Sequence, residues 1–143
     1  MRAYEYHHTV AFEDTNLFGN VYYVNHLRWQ GRCREMFLRD HAPGVLAEIQ
    51  RGLRLATVRC SCEYEEELVP FDHVVVRMTL GDLKPAGMTL RFAYFRLDAA
   101  RETLVARGEQ EIACLSGSGR TAAPVSLPSE LREALRPYQG ATA

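Results

Sequence analysis

The amino-acid sequence predicts an α+β fold in which a five-stranded antiparallel sheet wraps around one long central helix. Five segments alternate apolar and polar residues with the period of a β-strand, and one long segment has helical periodicity. The helical segment is apolar on several sides, which is typical of a helix inside a fold. Because an antiparallel sheet has one face to bury, we expect this helix to cover it.

The first strand is predicted at residues 4–12, where side chains alternate between two faces. A polar loop follows, with Gly19 as its flexible hinge and Asn20 as the N-cap of the helix. The helix is predicted from residue 21 to about residue 40. Gly31 interrupts its middle at a cost of about 1 kcal/mol relative to alanine, so we expect another backbone to approach closely there.

A short second helix is predicted at residues 45–51, because a Pro-Gly pair ends the first helix and a glycine follows the second. Four strands come next, separated by turn residues, at residues 53–67, 73–83, 88–97 and 103–115. Residues 129–135 have the pattern of a short amphipathic helix. We expect this C-terminal tail, from about residue 128, to be either docked on the surface or frayed.

The length of 143 residues predicts a single domain over residues 1–143. The net charge of −1 offers no electrostatic basis for binding nucleic acid or an anionic membrane. No apolar run approaches the roughly 20 residues that a membrane-spanning helix needs. The N-terminus carries acidic and aromatic residues rather than the apolar core of a signal peptide. These observations favour a cytoplasmic protein.

The four cysteines do not form a CxxC motif, and Cys60 and Cys62 share one face of a strand, where they cannot easily bridge each other. We interpret all four, including Cys33 and Cys114, as small buried hydrophobic residues in a reducing compartment. A zinc site or a catalytic thiol is the alternative. None of the five histidines has metal-ligand spacing with another ligand, so we expect neither a metal nor a cofactor.

The most informative segment is residues 12–23, FEDTNLFGNVYY, where a strand runs through a loop into the long helix. Helix starts present free backbone N–H groups that can hold a polarised carbonyl or an anion. The segment resembles thioesterases of the 4-hydroxybenzoyl-CoA type, which have the hotdog fold and read roughly Asp-x-Asp-x-x-Gly-x-Val-x-Tyr here. The first Asp falls on Asp14, the glycine on Gly19, the valine on Val21 and the tyrosine on Tyr23. The family's catalytic Asp falls on Asn16.

The resemblance implies an acyl thioester substrate whose carbonyl is held at the start of the helix. The resemblance also implies that the residues of this chain that bind the substrate and hold the oxyanion are Gly19, Asn20, Val21, Tyr23 and Asp14. An amide has no useful basicity near neutral pH, so Asn16 cannot replace the carboxylate as a base.

Thioesterases of enediyne polyketide biosynthesis are the subgroup that this chain resembles most, because they also carry Asn in place of the Asp. The helical arginine of that subgroup falls on Arg34. The resemblance implies that Asn16 and Arg34 are the catalytic residues. It also implies release of a β-keto polyene chain from the acyl carrier protein domain of an iterative polyketide synthase, followed by loss of CO2. A hydrophobic tunnel for the chain is expected.

Structural alternatives accompany the functional interpretation of each residue. Asn16 is also suited to an Asx turn, Asp14 to a loop cap and Tyr23 to core packing. Arg34 is also suited to a surface ion pair with a nearby acid, either Glu35 or Asp40. His26 is the only histidine near the predicted site and is a candidate general base.

Two alternative functions remain at this point. One is an acyl-CoA thioesterase of general metabolism, and the other is a non-catalytic protein that binds acyl thioesters. The exposed edges of a five-stranded sheet also predict a homo-oligomer. The resemblance implies a tetramer built as a dimer of dimers.

Overall fold

The computed structural model describes residues 2–140, whose strands form one antiparallel sheet. In chain order the elements are β1 (Tyr4–Thr9), α1 (Val24–His41), α2 (Pro43–Gln50), β2 (Leu53–Tyr64), β3 (His73–Lys84), β4 (Gly87–Asp98), β5 (Arg101–Ser116), β6 (Ala123–Pro124) and α3 (Ser129–Leu135). The two-residue strand β6, which pairs with the end of β5, is absent from the sequence prediction.

The sheet curls around α1. Its strand order is β1-β3-β4-β5-β2, with every neighbouring pair antiparallel. Helix α1 contacts β1 and β2, which lie at opposite ends of this order, as well as β3. A straight helix can contact both ends of a five-stranded sheet only if the sheet bends around it. The predicted α+β arrangement is therefore confirmed.

The core lies between the concave face of the sheet and α1. On β3 the inward-facing side chains alternate, and those of Val74, Val76, Met78 and Leu80 are all buried. Trp29 and Phe37 of α1 pack into the same cluster. Burying each such side chain contributes roughly 1.5–3 kcal/mol, so this helix–sheet contact is the main source of stability.

The strand-to-helix corner differs from the sequence prediction. Strand β1 ends at Thr9, and residues Phe12–Asp14 form a 3-10 turn. Helix α1 begins at Val24, with Tyr23 rather than Asn20 in the N-cap position. The physical reason is that Val21 forms an antiparallel bridge with Thr15, which keeps the chain extended where the sequence pattern already looks helical.

Two other expectations are wrong. No atom lies within 4 Å of a Cβ placed on Gly31, so no backbone within the described chain approaches it. Cys33 and Cys114 are buried, but Cys60 is exposed and Cys62 is half-buried. Cys60 and Cys62 lie on β2, an edge strand whose residues 57–61 are all exposed, and this position explains their exposure.

The C-terminal segment is docked rather than frayed. Leu131 and Leu135 of α3 and Tyr138 after it are buried in the core cluster. Arg132 donates hydrogen bonds to the carbonyl oxygens of Lys84 and Pro85 at 2.9 and 2.8 Å. The segment therefore closes one end of the helix–sheet interface. Residues 141–143 of the predicted tail lie outside the described residues.

The sheet has open edges in the described chain. Strands β1 and β2 each pair on one side only. A register shift between Thr57 and Arg59 marks a bulge in β2, and Val58 within it is 61% exposed. Unpaired edges and exposed apolar residues are features that association with a second chain covers.

We predict that Leu131→Ala lowers the free energy of unfolding by about 2–5 kcal/mol, because it leaves a cavity at the buried face of α3. Urea titration followed by circular dichroism would measure this. Glu133→Ala, at an exposed position of the same helix, is the control and should change stability by less than about 0.5 kcal/mol. Equal stability of the two variants would show that α3 does not contribute to the core in solution.

Candidate functional site at the start of the central helix

The loop before α1 is closed by a tight turn at Asn16. The N–H of Asn16 donates to the Asn20 carbonyl at 2.9 Å, and the N–H of Gly19 donates to the Asn16 carbonyl at 3.1 Å. The side-chain oxygen of Asn16 accepts from the N–H of Phe18 at 2.9 Å. Gly19 has φ +88°, in the region that favours glycine. Asn16 thus forms the Asx turn that the sequence allowed, and its side-chain nitrogen is left as a donor.

Asp14 ties this loop to the start of the helix. Its carboxylate accepts hydrogen bonds from the N–H of Ala11 at 2.8 Å and from His8 Nε2 at 2.9 Å. Its carbonyl accepts from Asn25 Nδ2 at 2.8 Å and from the N–H of Tyr22 at 2.9 Å. The Asp14 side chain therefore has the cap-like role that was its alternative interpretation.

The free main-chain donors lie further along the chain than expected. The N–H of Gly19 is used within the turn, and the N–H of Val21 donates to the Leu68 carbonyl at 2.8 Å. Because α1 begins at Val24, the N–H groups of Tyr23 and Val24 have no main-chain or side-chain acceptor among the described residues. These two groups could hold a carbonyl oxygen or an anion.

A cavity of about 250 Å³ lies beside Tyr23, one of these two residues. It is lined by residues of the helix start and of the segment after β2: Asn20, Val21, Tyr23, His26, Tyr64, Glu65, Glu66, Glu67 and Leu68. Three predicted site residues, Asn20, Val21 and Tyr23, are thus brought together. The side-chain oxygen of Asn20 is buried and has no hydrogen-bond partner among the described residues, so it can bind a ligand donor.

Tyr23 is exposed and is not part of the core. Its side chain is 58% exposed, and its ring packs against those of Tyr22 and Tyr64, with centroids 5.0 and 6.5 Å away. The hydroxyl of Tyr64 donates to the Tyr23 carbonyl at 2.7 Å. This bond joins the end of β2 to the first turn of α1, and it sets the width of the cavity between them.

His26 is the most unusual group in the cavity. It is 3% exposed, and neither ring nitrogen has a hydrogen-bond partner among residues 2–140. An unsatisfied buried polar group costs about 1–3 kcal/mol, so its position requires an explanation. Burial lowers the pKa of His26 to about 4, and the nearby Tyr23 main chain, which is too poorly aligned to count as a hydrogen-bond partner, only partly opposes this shift. The ring is therefore neutral at physiological pH.

Arg34 does not make the ion pair with Glu35 or Asp40 that was its alternative interpretation. Its Nη1 donates to Thr57 Oγ1 at 3.0 Å and to Gln110 Oε1 at 3.1 Å, and both acceptors are neutral. Burial lowers its pKa, with Glu35 opposing that effect. No carboxylate of the described residues lies within 4 Å of the guanidinium. Its charge is therefore available to an anionic ligand.

Asn16 and Arg34 line neither the cavity at the helix start nor the larger depression on the outer face of the sheet, as far as residues 2–140 show. The cavity at the helix start is lined by neither residue, nor by Gly19 or Asp14. Arg34 lies ten residues after the first residue of α1, which is about 15 Å along the helix axis. One chain thus presents two separate groups, a helix start with free donors and a cation further along the helix.

A row of polar residues on α1, His26, Gln30 and Arg34, was missed by the sequence analysis, and we call it the polar stripe. The three residues are four apart and so lie on one face of the helix. Gln30 is fully buried; its Nε2 donates to the Ser61 carbonyl at 3.0 Å, while its Oε1 has no partner among the described residues. Gly108 makes room for it, since a Cβ there would collide with the Gln30 amide. The four-residue spacing was the signal in the sequence.

A second, larger depression of about 680 Å³ lies on the outer face of the sheet. Its arginines are already paired with acids, as in Arg77 with Glu5 and Glu102, so this surface is balanced in charge. No three His, Cys, Asp or Glu side chains in residues 2–140 are grouped to hold a metal ion. In the same part of the chain, no helix is long and apolar enough to cross a membrane.

Known proteins resemble this chain in both sequence and fold. The model of the thioesterase-like superfamily matches residues 10–135. A crystal structure of the dynemicin thioesterase, from a study of induced fit and allostery upon polyene binding, is 44% identical with a TM-score of 0.94, covering 99% of this chain and 100% of that one. A putative esterase of Aquifex aeolicus is 28% identical over 131 residues, which are 92% of this chain and 96% of that protein.

More distant structures show the fold alone. The 4-hydroxybenzoyl-CoA thioesterase from Pseudomonas sp. strain CBS-3 is 18% identical with a TM-score of 0.79, covering 94% of this chain and 99% of that one. The curled sheet around α1 is the hotdog arrangement. Since the family match spans residues 10–135, the chain belongs to the thioesterase-like superfamily, and it is a hotdog-fold acyl thioesterase.

Proposed function

We propose that this thioesterase releases a β-keto polyene chain from the acyl carrier domain of an iterative enediyne polyketide synthase. The observation that carries the proposal is the 44% identity, over nearly the whole chain, to the dynemicin thioesterase, whose structures were studied with polyene binding. Loss of CO2 from the freed β-keto acid completes the proposed reaction. The enzyme would therefore act in the biosynthesis of an enediyne antibiotic.

The chemistry of the site supports this substrate. A β-keto thioester is already electrophilic, so an amide and a guanidinium that stabilise the oxyanion can replace the carboxylate of relatives. The Asn16 side-chain nitrogen is a free donor, and the Arg34 guanidinium has only neutral partners in the described chain. We assign these two residues to polarising the thioester carbonyl. The helix-start residues Tyr23 and Val24 add main-chain donors.

We further propose that the active site needs a second copy of the chain. Asn16 and Arg34 do not line one cavity within one protomer, and the space beside Gly31 is open. The edge of β2, with the exposed Val58, is a surface on which a copy can pair. A two-fold axis at that edge would set two α1 helices side by side, with the helix start of one protomer near Arg34 of its partner. A tetramer would pair two such dimers.

We predict that Asn16→Ala and Arg34→Ala each lower the single-turnover rate on a β-keto acyl carrier protein about 10²–10³-fold, as the loss of an oxyanion donor does. Rapid quench with mass spectrometry of the released chain would measure the rate. Arg28→Ala, at an exposed position of the same helix, is the matched control and should keep the rate. If both site variants hydrolyse at the wild-type rate, the assignment of the site is wrong.

We predict that the two inactive variants complement each other when co-expressed. If each site takes Asn16 from one chain and Arg34 from its partner, half of the randomly mixed dimers carry one intact site. The mixture should then regain about a quarter of the wild-type rate. The rate of the purified mixture would be compared with that of each variant alone. A mixture no more active than its components would place both residues of a site on the same chain.

We predict that the enzyme hydrolyses the β-keto acyl thioester of the carrier protein with a kcat/KM at least tenfold higher than that for the same acyl group on CoA. The expected difference arises because the carrier contributes protein–protein contacts that CoA lacks. The product, identified by mass spectrometry, should have lost CO2. Equal or better hydrolysis of the CoA thioester would instead favour an acyl-CoA thioesterase of general metabolism.

A further inference from the structure

The reaction needs a group that takes a proton from water, and the residues of the motif do not supply one. Asn16 is an amide without useful basicity. One oxygen of the Asp14 carboxylate accepts two hydrogen bonds, and Asp14 does not line the cavity at the helix start. At the cavity, Glu65 pairs with Arg107 at 3.0 Å and Glu66 with Arg96 at 3.4 Å. The remaining titratable groups with a basic atom are Glu67, which is exposed, and His26, which is buried.

We propose that His26 is the general base that activates the attacking water in this site. The ring lines the cavity beside the free main-chain donors of the helix start, and both of its nitrogens lack a partner among the described residues. A neutral imidazole has one nitrogen that donates and one that accepts. Both nitrogens are shielded from solvent in the free protein, so the accepting nitrogen holds a water O–H once substrate binding opens the cavity wall beside the ring. This inference rests on the proposed function.

The surroundings of His26 hold the ring in one orientation. Three aromatic rings surround it, those of Tyr64, Trp29 and Tyr94, with centroids 4.7, 5.1 and 5.5 Å away. The Tyr94 hydroxyl also donates to the His26 carbonyl at 2.6 Å. A base whose ring cannot turn freely meets the geometric requirement for proton transfer.

Gln30 is the next polar residue after this base on the same face of α1. It lies one helical turn after His26 on the polar stripe, and its Oε1 is a buried acceptor without a partner among residues 2–140. Its side-chain nitrogen donates to the Ser61 carbonyl, and the absence of a Cβ at Gly108 leaves room for the amide. No hydrogen bond joins Gln30 to His26 among the described residues, so each keeps an unpaired polar atom that a bound water or substrate can meet.

The basicity of His26 suits the task. Burial lowers its pKa to about 4, so the ring is unprotonated at neutral pH. This value lies in the range of ordinary Asp and Glu side chains, which is about 3.9–4.3. A buried imidazole thus offers the basicity of the carboxylate that the resemblance places at position 16. The charged groups facing the cavity, Glu65, Glu66 and Glu67, favour the protonated ring only modestly, because they are exposed to solvent.

The proposed step balances. Water loses a proton to the free nitrogen of His26 as its oxygen bonds to the thioester carbonyl carbon, and the carbonyl becomes an oxyanion. When the oxyanion collapses, the bond from carbon to sulfur breaks. The imidazolium returns its proton to the leaving thiolate of the carrier protein. The products are the β-keto acid and the free carrier thiol, and His26 is regenerated.

Single-turnover hydrolysis of the β-keto acyl carrier protein by His26→Gln tests the proposal. We expect the rate to fall 10²-fold or more while the Kd of the substrate changes less than threefold, because glutamine keeps polarity but has no basicity. His41→Gln, at the exposed end of the same helix, is the control and should keep the wild-type rate. Adding imidazole to His26→Ala should restore hydrolysis, whereas pyrazole, of the same shape but far less basic, should not.

The pH dependence of the wild-type single-turnover rate tests the proposal without depending on whether the variants fold. The single-turnover rate should stay constant from pH 8 to pH 6 and fall, with the slope of one proton, toward the pKa of about 4. An inflection near pH 6.5 would overturn the proposal, and so would a wild-type rate in His26→Gln. Loss of the rate in Glu67→Gln alone would assign the base to that carboxylate. If the wild-type enzyme does not hydrolyse the substrate at all, the proposed function fails instead.

Discussion

The burial of α1 under the curled sheet is the constraint on which the rest of the structure depends. One helix supplies the inner surface against which β1, β3 and β2 pack, so whatever it carries on that face is held inside the molecule. Trp29 and Phe37 provide the apolar contact that stabilises this arrangement. The same face also carries the polar stripe, which gains nothing from burial itself. Its side chains are positioned rigidly because the apolar contacts around them are strong.

The polar groups of this interface differ in how well they are satisfied. Within residues 2–140, Gln30 donates to the Ser61 carbonyl and leaves its side-chain oxygen unpaired, and His26 leaves both ring nitrogens unpaired. Arg34 has two hydrogen bonds but no counter-charge among the described residues. Unpaired polar groups destabilise the free protein and become favourable contacts when a ligand supplies the missing partner. This imbalance links the stability of the fold to binding.

The strand-to-helix corner shows why a local pattern can be correct in composition and wrong in detail. The motif at Asp14, Asn16 and Gly19 predicted a loop that prepares the helix start, and the loop is there. The helix starts later because the bridge between Thr15 and Val21 extends the chain. The free main-chain N–H groups are therefore those of Tyr23 and Val24 and not those of the residues predicted from the sequence. A hydrogen bond from the Val21 N–H to the Leu68 carbonyl also holds the chain there, and Leu68 lies far away in the sequence.

The sequence by itself determined the α+β class, the order of the elements and the position of the motif, because periodicity and turn residues are local properties of the chain. The tertiary structure alone decided which polar atoms remain without partners. The isolation of His26, the neutral partners of Arg34 and the open space beside Gly31 all depend on strands that are distant in sequence. Hydrogen-bond satisfaction is a property of the packed chain, since each donor can be paired by residues from any element.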